Sequence, residues 1–183
     1  IGGAVANAAN LNLTGGTLSK AVSGAGRLNI TGSSTISSTV TGNTINLNSG
    51  STLTLKNTAN ISGANQFVVN EGTLSTQDST TATYNLGKLV LSNNLYLKLD
   101  ADLANLAADT VSATSLSNSD NYKIIVNGIN YISEMTTTPI SVKISDTVLR
   151  DAIRARYRGH PKVKRIEIGL NPGETDLILR ELV

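Results

Sequence analysis

The chain has no cysteine and no tryptophan, a single histidine and a single phenylalanine, and only 15% of its residues are charged. Without cysteine there is no disulfide framework, no thiolate metal site and no thiol nucleophile. One histidine provides neither a zinc-binding cluster nor a set of imidazoles for acid–base chemistry. Composition therefore points away from most enzyme classes, and no catalytic, cofactor-binding or metal-ligating residue is assigned. Long hydrophobic runs are missing too. Stretches such as Ile124, Ile125 and Val126 fall far short of the roughly 20 apolar residues a spanning helix needs, so a soluble fragment with no membrane insertion is expected. The chain opens on Ile1 with no start methionine and no signal-like segment, as an internal piece of a longer protein would.

What is abundant is small and polar. Ser, Thr and Asn supply 61 of 183 residues, while 39% apolar content is enough to build a core. Charge is spread unevenly. Residues 1–82 carry only Lys20, Arg27, Lys56, Glu71 and Asp78, whereas residues 143–183 hold 15 of the 28 charged residues and six of the seven arginines. The break predicts two regions, 1–142 and 143–183, with a change of character inside the first from about residue 83.

The first region repeats. Leu11, Leu13, Thr14, Gly16, Thr17, Leu18 returns as Leu28, Ile30, Thr31, Gly32, Thr35, Ile36 and again as Ile45, Leu47, Asn48, Gly50, Thr52, Leu53. Starts at 11, 28 and 45 are followed by a return as Phe67, Val69, Asn70, Gly72, Thr73, Leu74 and a weaker copy as Leu89, Leu91, Asn94, Leu95, the spacing growing from 17 to 22 through loop insertion. Each unit reads as two short strands with period-2 alternation around a Gly-containing corner. Such strands cannot bury a face alone. Stacked at about 4.8 Å, they give every backbone group a partner above and below and align the inward Leu, Ile and Val. The expected fold is all-β, a right-handed parallel β-helix (solenoid); a β-sandwich is the alternative, with strands of similar length. Residues 1–82 are too rich in Thr, Asn and Gly for helix.

From residue 83 the strands lengthen. Tyr122 to Val126 and Ile129 to Ile132 flank Asn127 and Gly128, a hairpin signal. The run LYLKLDADLANLAADTVSA, followed by YKIIVNGINYI, resembles the C-terminal part of bacterial autotransporter passenger domains, and the Ser/Thr/Asn/Gly-rich repeats before it are similar to the β-helical stalk of that family. The likeness spans about residues 11–142. It implies a cell-surface or secreted protein that acts as an adhesin or surface antigen without catalysis. Its terminal rungs would aid folding during export, its partner would be a host-cell protein or glycan, and the outer-membrane barrel of the precursor would lie outside this fragment.

The tail does not share the likeness. Ser145 or Asp146 can cap a helix bearing Val148, Leu149, Ala152, Ile153 and Tyr157, which Gly159 and Pro161 end. Val163 to Leu170, a turn at 171–174 and Leu177 to Leu182 then form a hairpin. The unit is a small C-terminal α/β (helix plus hairpin) cap on the open end of the solenoid, where unpaired edges would invite aggregation.

Four groups of residues invite a functional reading. Arg150, Arg154, Arg158, Lys162, Lys164 and Arg165 form a candidate anionic-ligand patch for phosphate or acidic glycans; a solvated helix face is the plainer reading, and with only Tyr157 nearby nucleic acid is not expected. Asp100, Asp102 and Asp109 offer oxygen ligands but match no calcium-binding loop, and read as surface or turn-capping carboxylates. Glu71 and Asp78 could form an acid–base pair of the glycosidase kind, but read as isolated carboxylates on solenoid loops, since no aromatic sugar platform accompanies them in sequence. His160 lacks a partner for nucleophilic catalysis. A β-helical polysaccharide lyase or hydrolase, and a solenoid carrying an active basic tail, remain the alternatives to a binding stalk.

Overall fold

A computed structural model describes residues 3–102, 104–105, 107–118 and 120–133, together with the backbone of the strands at 140–144, 165–171 and 174–180. Every regular element among the described residues is a strand. The expected helix in the tail, including Ser145 to Gly159, lies outside the described residues.

Three short strands follow one another and the set then repeats; each set is termed a rung. The first rung is β1 (Val5–Ala6), β2 (Asn10–Leu13) and β3 (Gly16–Leu18), and the second is β4 (Val22–Ser23), β5 (Arg27–Ile30) and β6 (Ser33–Ile36). The third is β7 (Val40–Thr41), β8 (Thr44–Leu47) and β9 (Thr52–Leu55). In the fourth a single bridge between Thr39 and Asn60 replaces the first strand, and β10 (Gln66–Val69) and β11 (Gly72–Ser75) follow. The fifth is β12 (Thr83–Asn85), β13 (Lys88–Leu91) and β14 (Leu95–Asp102), and β15 (Ala107–Ala108) folds back antiparallel on the end of β14. The sixth is β16 (Thr110–Ser112), β17 (Ser115–Ser117) and β18 (Ile124–Ser133).

Like strands pair in parallel from rung to rung. The second strands make one six-stranded sheet, β17-β13-β10-β8-β5-β2, and the third strands make another, β14-β11-β9-β6-β3, with β18 added beyond β14. Leu11, Leu28, Ile45, Phe67, Leu89 and Leu116 stand opposite one another along the first of these sheets. The first five are the repeat starts read from the sequence. The parallel pairing of like strands from rung to rung separates this region from the sandwich alternative, whose sheets are antiparallel.

The pattern is physical before it is topological. Alternation in β5, β8 and β10 turns Leu28, Ile30, Ile45, Leu47, Phe67 and Val69 inward, where none has measurable exposure. Each buried side chain of this size contributes roughly 1.5–3 kcal/mol. The outward Asn12, Asn29 and Asn46 form an amide ladder, Asn29 Nδ2 donating to Asn12 Oδ1 at 2.9 Å and Asn46 Nδ2 to Asn29 Oδ1 at 2.8 Å. A second amide contact lies inside. Asn7 Nδ2 donates to Asn43 Oδ1 at 2.7 Å, and the intervening rung offers Gly26, where a Cβ would lie 2.3 Å from the Ala9 carbonyl oxygen and 2.8 Å from Asn7 Nδ2.

Several expectations are corrected. Each unit has a third strand, marked by Val5, Val22 and Val40, besides the two read from the sequence. Ile36 pairs with Leu55, and Leu53 faces Ser34, whose buried hydroxyl donates to the Leu13 carbonyl at 3.1 Å. Leu74 faces Leu97. Asn127 and Gly128 do not turn a hairpin: β18 runs through them parallel to β14, and the register shift between Leu97 and Lys98 leaves Asn127 as the extra residue of a bulge. Ladder bonds to an already formed edge outweigh the local turn preference of Asn-Gly here.

The tail hairpin is present as β20 (Arg165–Asn171) paired antiparallel with β21 (Glu174–Arg180). β19 (Ile140–Ile144), which spans the step in charge density, joins β21 on one side and meets β16 at Val111 on the other. The hairpin thus extends a five-stranded sheet, β12-β16-β19-β21-β20.

Candidate functional site

Two corners of the rungs concentrate the chemistry. Between the second and third strands the chain turns through a left-handed residue in successive rungs: Gly15 (φ 107°), Gly32 (φ 73°), Gly50 (φ 69°) and then Glu71 (φ 65°). Glycine adopts this region freely, whereas an L-residue with a Cβ is disfavoured there by roughly 1–2 kcal/mol. The corner is nonetheless in register, since Gly50 N–H donates to the Glu71 carbonyl at 3.0 Å. The next residue, Gly72, is buried against Leu47, whose Cγ a Cβ would approach to 2.4 Å.

Glu71 lines a shallow groove of about 270 Å³ with Ser49, Ser51, Thr73 and Tyr96. Tyr96 reaches it because β14 pairs with β11, setting Tyr96 opposite Thr73. Ser49 Oγ–H donates to Glu71 Oε2 over a long 3.4 Å. A carboxylate, several hydroxyls and a half-buried tyrosine therefore share one surface. The aromatic partner that sequence spacing does not provide for Glu71 is supplied by stacking. The same face carries Thr17, Thr35 and Thr54 in one register file and Thr52 and Thr73 in another. None of these five hydroxyls has a hydrogen-bond partner among the described residues.

At the opposite corner, between the third strand and the next rung, carboxylates hold the widening loops. Asp78 accepts from Asn57 N–H at 2.8 Å, and Asp100 Oδ2 accepts from Asp78 N–H and Ser79 N–H, both at 2.7 Å. Asp100 Oδ1 takes Asn130 Nδ2–H at 2.6 Å from the following rung. Asp109 accepts from Asp100 N–H at 2.7 Å, from Ala82 N–H at 3.1 Å and from the Thr76 hydroxyl. Asp100 and Asp109 have no measurable exposure, so neither is a surface carboxylate; both accept backbone N–H groups from neighbouring rungs and loops.

Burial pushes the Asp109 carboxyl up to about 6, the neighbouring Asp100 charge adding to the rise and its three hydrogen bonds opposing it. Tyr84, whose hydroxyl donates to the Thr76 carbonyl at 3.3 Å, is raised by burial and by the charges of Asp109, Asp78 and Asp100. Asp78 is penalised by burial, yet bonds from Thr80 and Asn57 carry it below the usual carboxylate range. Asp102 is also lowered, by the Ser133 hydroxyl and by Asn105.

Among the described residues no group of three or more His, Asp or Glu side chains is arranged to hold a metal ion. Asp102 binds Ser133 and Asn105 and does not join the contacts of Asp100 and Asp109. Glu71 and Asp78 sit at opposite ends of β11 and are not brought together. The patch residues Arg150, Arg154, Arg158, Lys162 and Lys164 lie outside the described residues, as does His160; Arg165 begins β20 opposite Arg180, its backbone alone being described. Comparison with known proteins finds no family model, no curated protein and no solved structure that matches the chain.

Proposed function

We propose that the chain is a right-handed parallel β-helix, closed at its C-terminal end by a helix-plus-hairpin cap, and that it works as a non-enzymatic binding stalk on a cell surface or in secreted form. The type of protein proposed is the autotransporter passenger, an adhesin or surface antigen whose partner is a host-cell protein or glycan. The observation that carries this reading is the division of labour among polar groups. The fully buried carboxylates of Asp100 and Asp109 are occupied by backbone amides and neighbouring side chains, while uncharged hydroxyls recur in register on an outward face. These carboxylates hold the rungs together and these hydroxyls face solvent, and Glu71 is the only acid lining its groove among the described residues, one short of a hydrolase pair. The long strand β14, with Asp100 and Asp102 in it, covers most of the LYLKLDADL stretch that carries the family resemblance, and β18 covers most of the YKIIVNGINYI stretch that follows it.

The test is binding of the full chain to host-cell surfaces at low and physiological salt, with parallel incubation against plant, bacterial and host polysaccharides. Saturable binding that survives physiological salt, with no shortening of any polymer, is expected. Clean polymer cleavage would move the chain to the enzyme class, and binding that vanishes as salt rises would assign recognition to the basic tail residues instead.

A further inference from the structure

We infer that the groove lined by Ser49, Glu71, Thr73 and Tyr96 is a subsite for a neutral pyranose unit of a linear glycan. This deepens the binding-stalk reading and rests on it. The first argument is the strained corner. Three preceding rungs place glycine at the left-handed position and the fourth places Glu71 there, at φ 65°, so a carboxylate occupies a backbone site that favours no side chain. Among the described residues the side chain gains no hydrogen bond from this conformation beyond the long one from Ser49.

The second argument is what surrounds that carboxylate. Glu71 Oε1 accepts no hydrogen bond from the described residues, and the hydroxyl of Thr73 is without a partner there as well. Tyr96, half-buried, adds an aromatic ring to the same lining. A carboxylate that accepts from paired sugar hydroxyls, beside a ring against which the C–H face of the sugar rests, is a recurrent solution for neutral saccharides, since the ring is apolar on its face and polar at its edge. With no cation among the described residues that line the groove, the Glu71 charge repels an anionic sugar.

The third argument is length. The groove alone suits about one sugar ring, but the outward files continue from Thr73 to Thr52 and from Thr54 to Thr35 and Thr17, one hydroxyl per rung along each file. A rung rises about 4.8 Å, close to the length of one pyranose unit in an extended chain. The sheet of second strands offers no such opportunity at the same rungs, because its Asn12, Asn29 and Asn46 amides bind one another.

The experiment is calorimetric titration of the full chain with linear oligosaccharides of glucose, of mannose and of galactose, and with oligogalacturonate as the anionic counterpart. At least one neutral chain is expected to bind saturably and oligogalacturonate not to bind. Glu71→Gly should weaken the neutral sugar about tenfold, the loss of one charge-assisted hydrogen bond, with a melting temperature at or above that of the parent. Tyr96→Leu should weaken it comparably, and circular dichroism checks that both variants remain folded. Failure of all three neutral chains, undiminished affinity in Glu71→Gly, or equal binding of oligogalacturonate would each overturn the subsite. Cell binding measured on the same samples separates the two claims. Cells bound without any of the sugars overturns the subsite and leaves the stalk reading intact, whereas sugar bound without cells supports the subsite and counts against adhesion.

Discussion

Replacing Asp100 tests whether the buried carboxylates hold the rungs. In the parent, one oxygen accepts Asp78 N–H and Ser79 N–H and the other accepts Asn130 Nδ2–H, so this side chain ties the loop of the fourth rung to the long strand of the sixth. Asp100→Ala orphans all three donors. Asn130 and Ser79 are exposed and their donors can turn to water, but the half-buried Asp78 amide loses a charged acceptor, at about 1–3 kcal/mol for a group left unpaired. Removing a buried charge returns part of that, both through its own desolvation and by easing its repulsion of Asp109. The net expectation is a loss of about 2 kcal/mol. Asp100→Asn keeps one oxygen for both amides, and the Asn130 amide can flip to meet the new NH2 group, so its loss should be about 1 kcal/mol. Urea denaturation read through the transition midpoint, at an unchanged slope, measures both. Equal losses in the two variants, or an Ala variant within about 0.5 kcal/mol of the parent, would refute the reasoning.

The remaining expectations follow from equally local features. Asp109 binds its proton more tightly folded than unfolded, so its contribution is fully present below about pH 4 and fades as pH rises through about 6, by up to roughly 3 kcal/mol. Stability measured from pH 4 to 7 should fall less steeply in Asp109→Asn than in the parent, and an identical slope would contradict the assignment. Gly26→Ala forces a Cβ onto the Ala9 carbonyl and the Asn7 amide and should destabilise by about 2 kcal/mol or more; a neutral result in thermal melts would show that the first rung yields there. The Thr31 hydroxyl is buried without a partner among the described residues, so Thr31→Val should leave stability unchanged or raise it by about 1 kcal/mol, and a marked loss would reveal a hydrogen bond made by that hydroxyl.

The second-strand file was readable because its inward residues recur in the same order beside a Gly or Asn corner; Leu11, Leu28, Ile45, Phe67 and Leu89 align in space as they do in sequence. Leu116 was missed because Ser115 and Ser117 flank it without that corner. The first strands escaped notice for a different reason: a two-residue strand such as Val22–Ser23 holds one inward side chain, too few to show a period. Asn127 and Gly128 satisfied a local rule that a neighbouring strand overrode. For the groove, Glu71 was visible but Tyr96 was not, because 25 residues separate them and only rung stacking makes them neighbours. Carrying the 22-residue spacing forward from Thr73 leads to Leu95, one short of its true partner, so the signal was present but blurred by a lengthening loop.

The central claim is a rigid stack whose outward residues recur at one-rung spacing, and the absence of cysteine makes it directly measurable with spin labels. Asn12, Val90 and Ser117 lie on one outward file, with Val90 four rungs and Ser117 five rungs from Asn12 along the same sheet. In the doubly substituted chains Asn12→Cys with Val90→Cys and Asn12→Cys with Ser117→Cys, pulsed electron resonance should give narrow distributions centred at about 19 and 24 Å. Broad distributions, or a 12-to-117 distance no longer than 12-to-90, would contradict the stack and with it the surface on which the proposed binding depends.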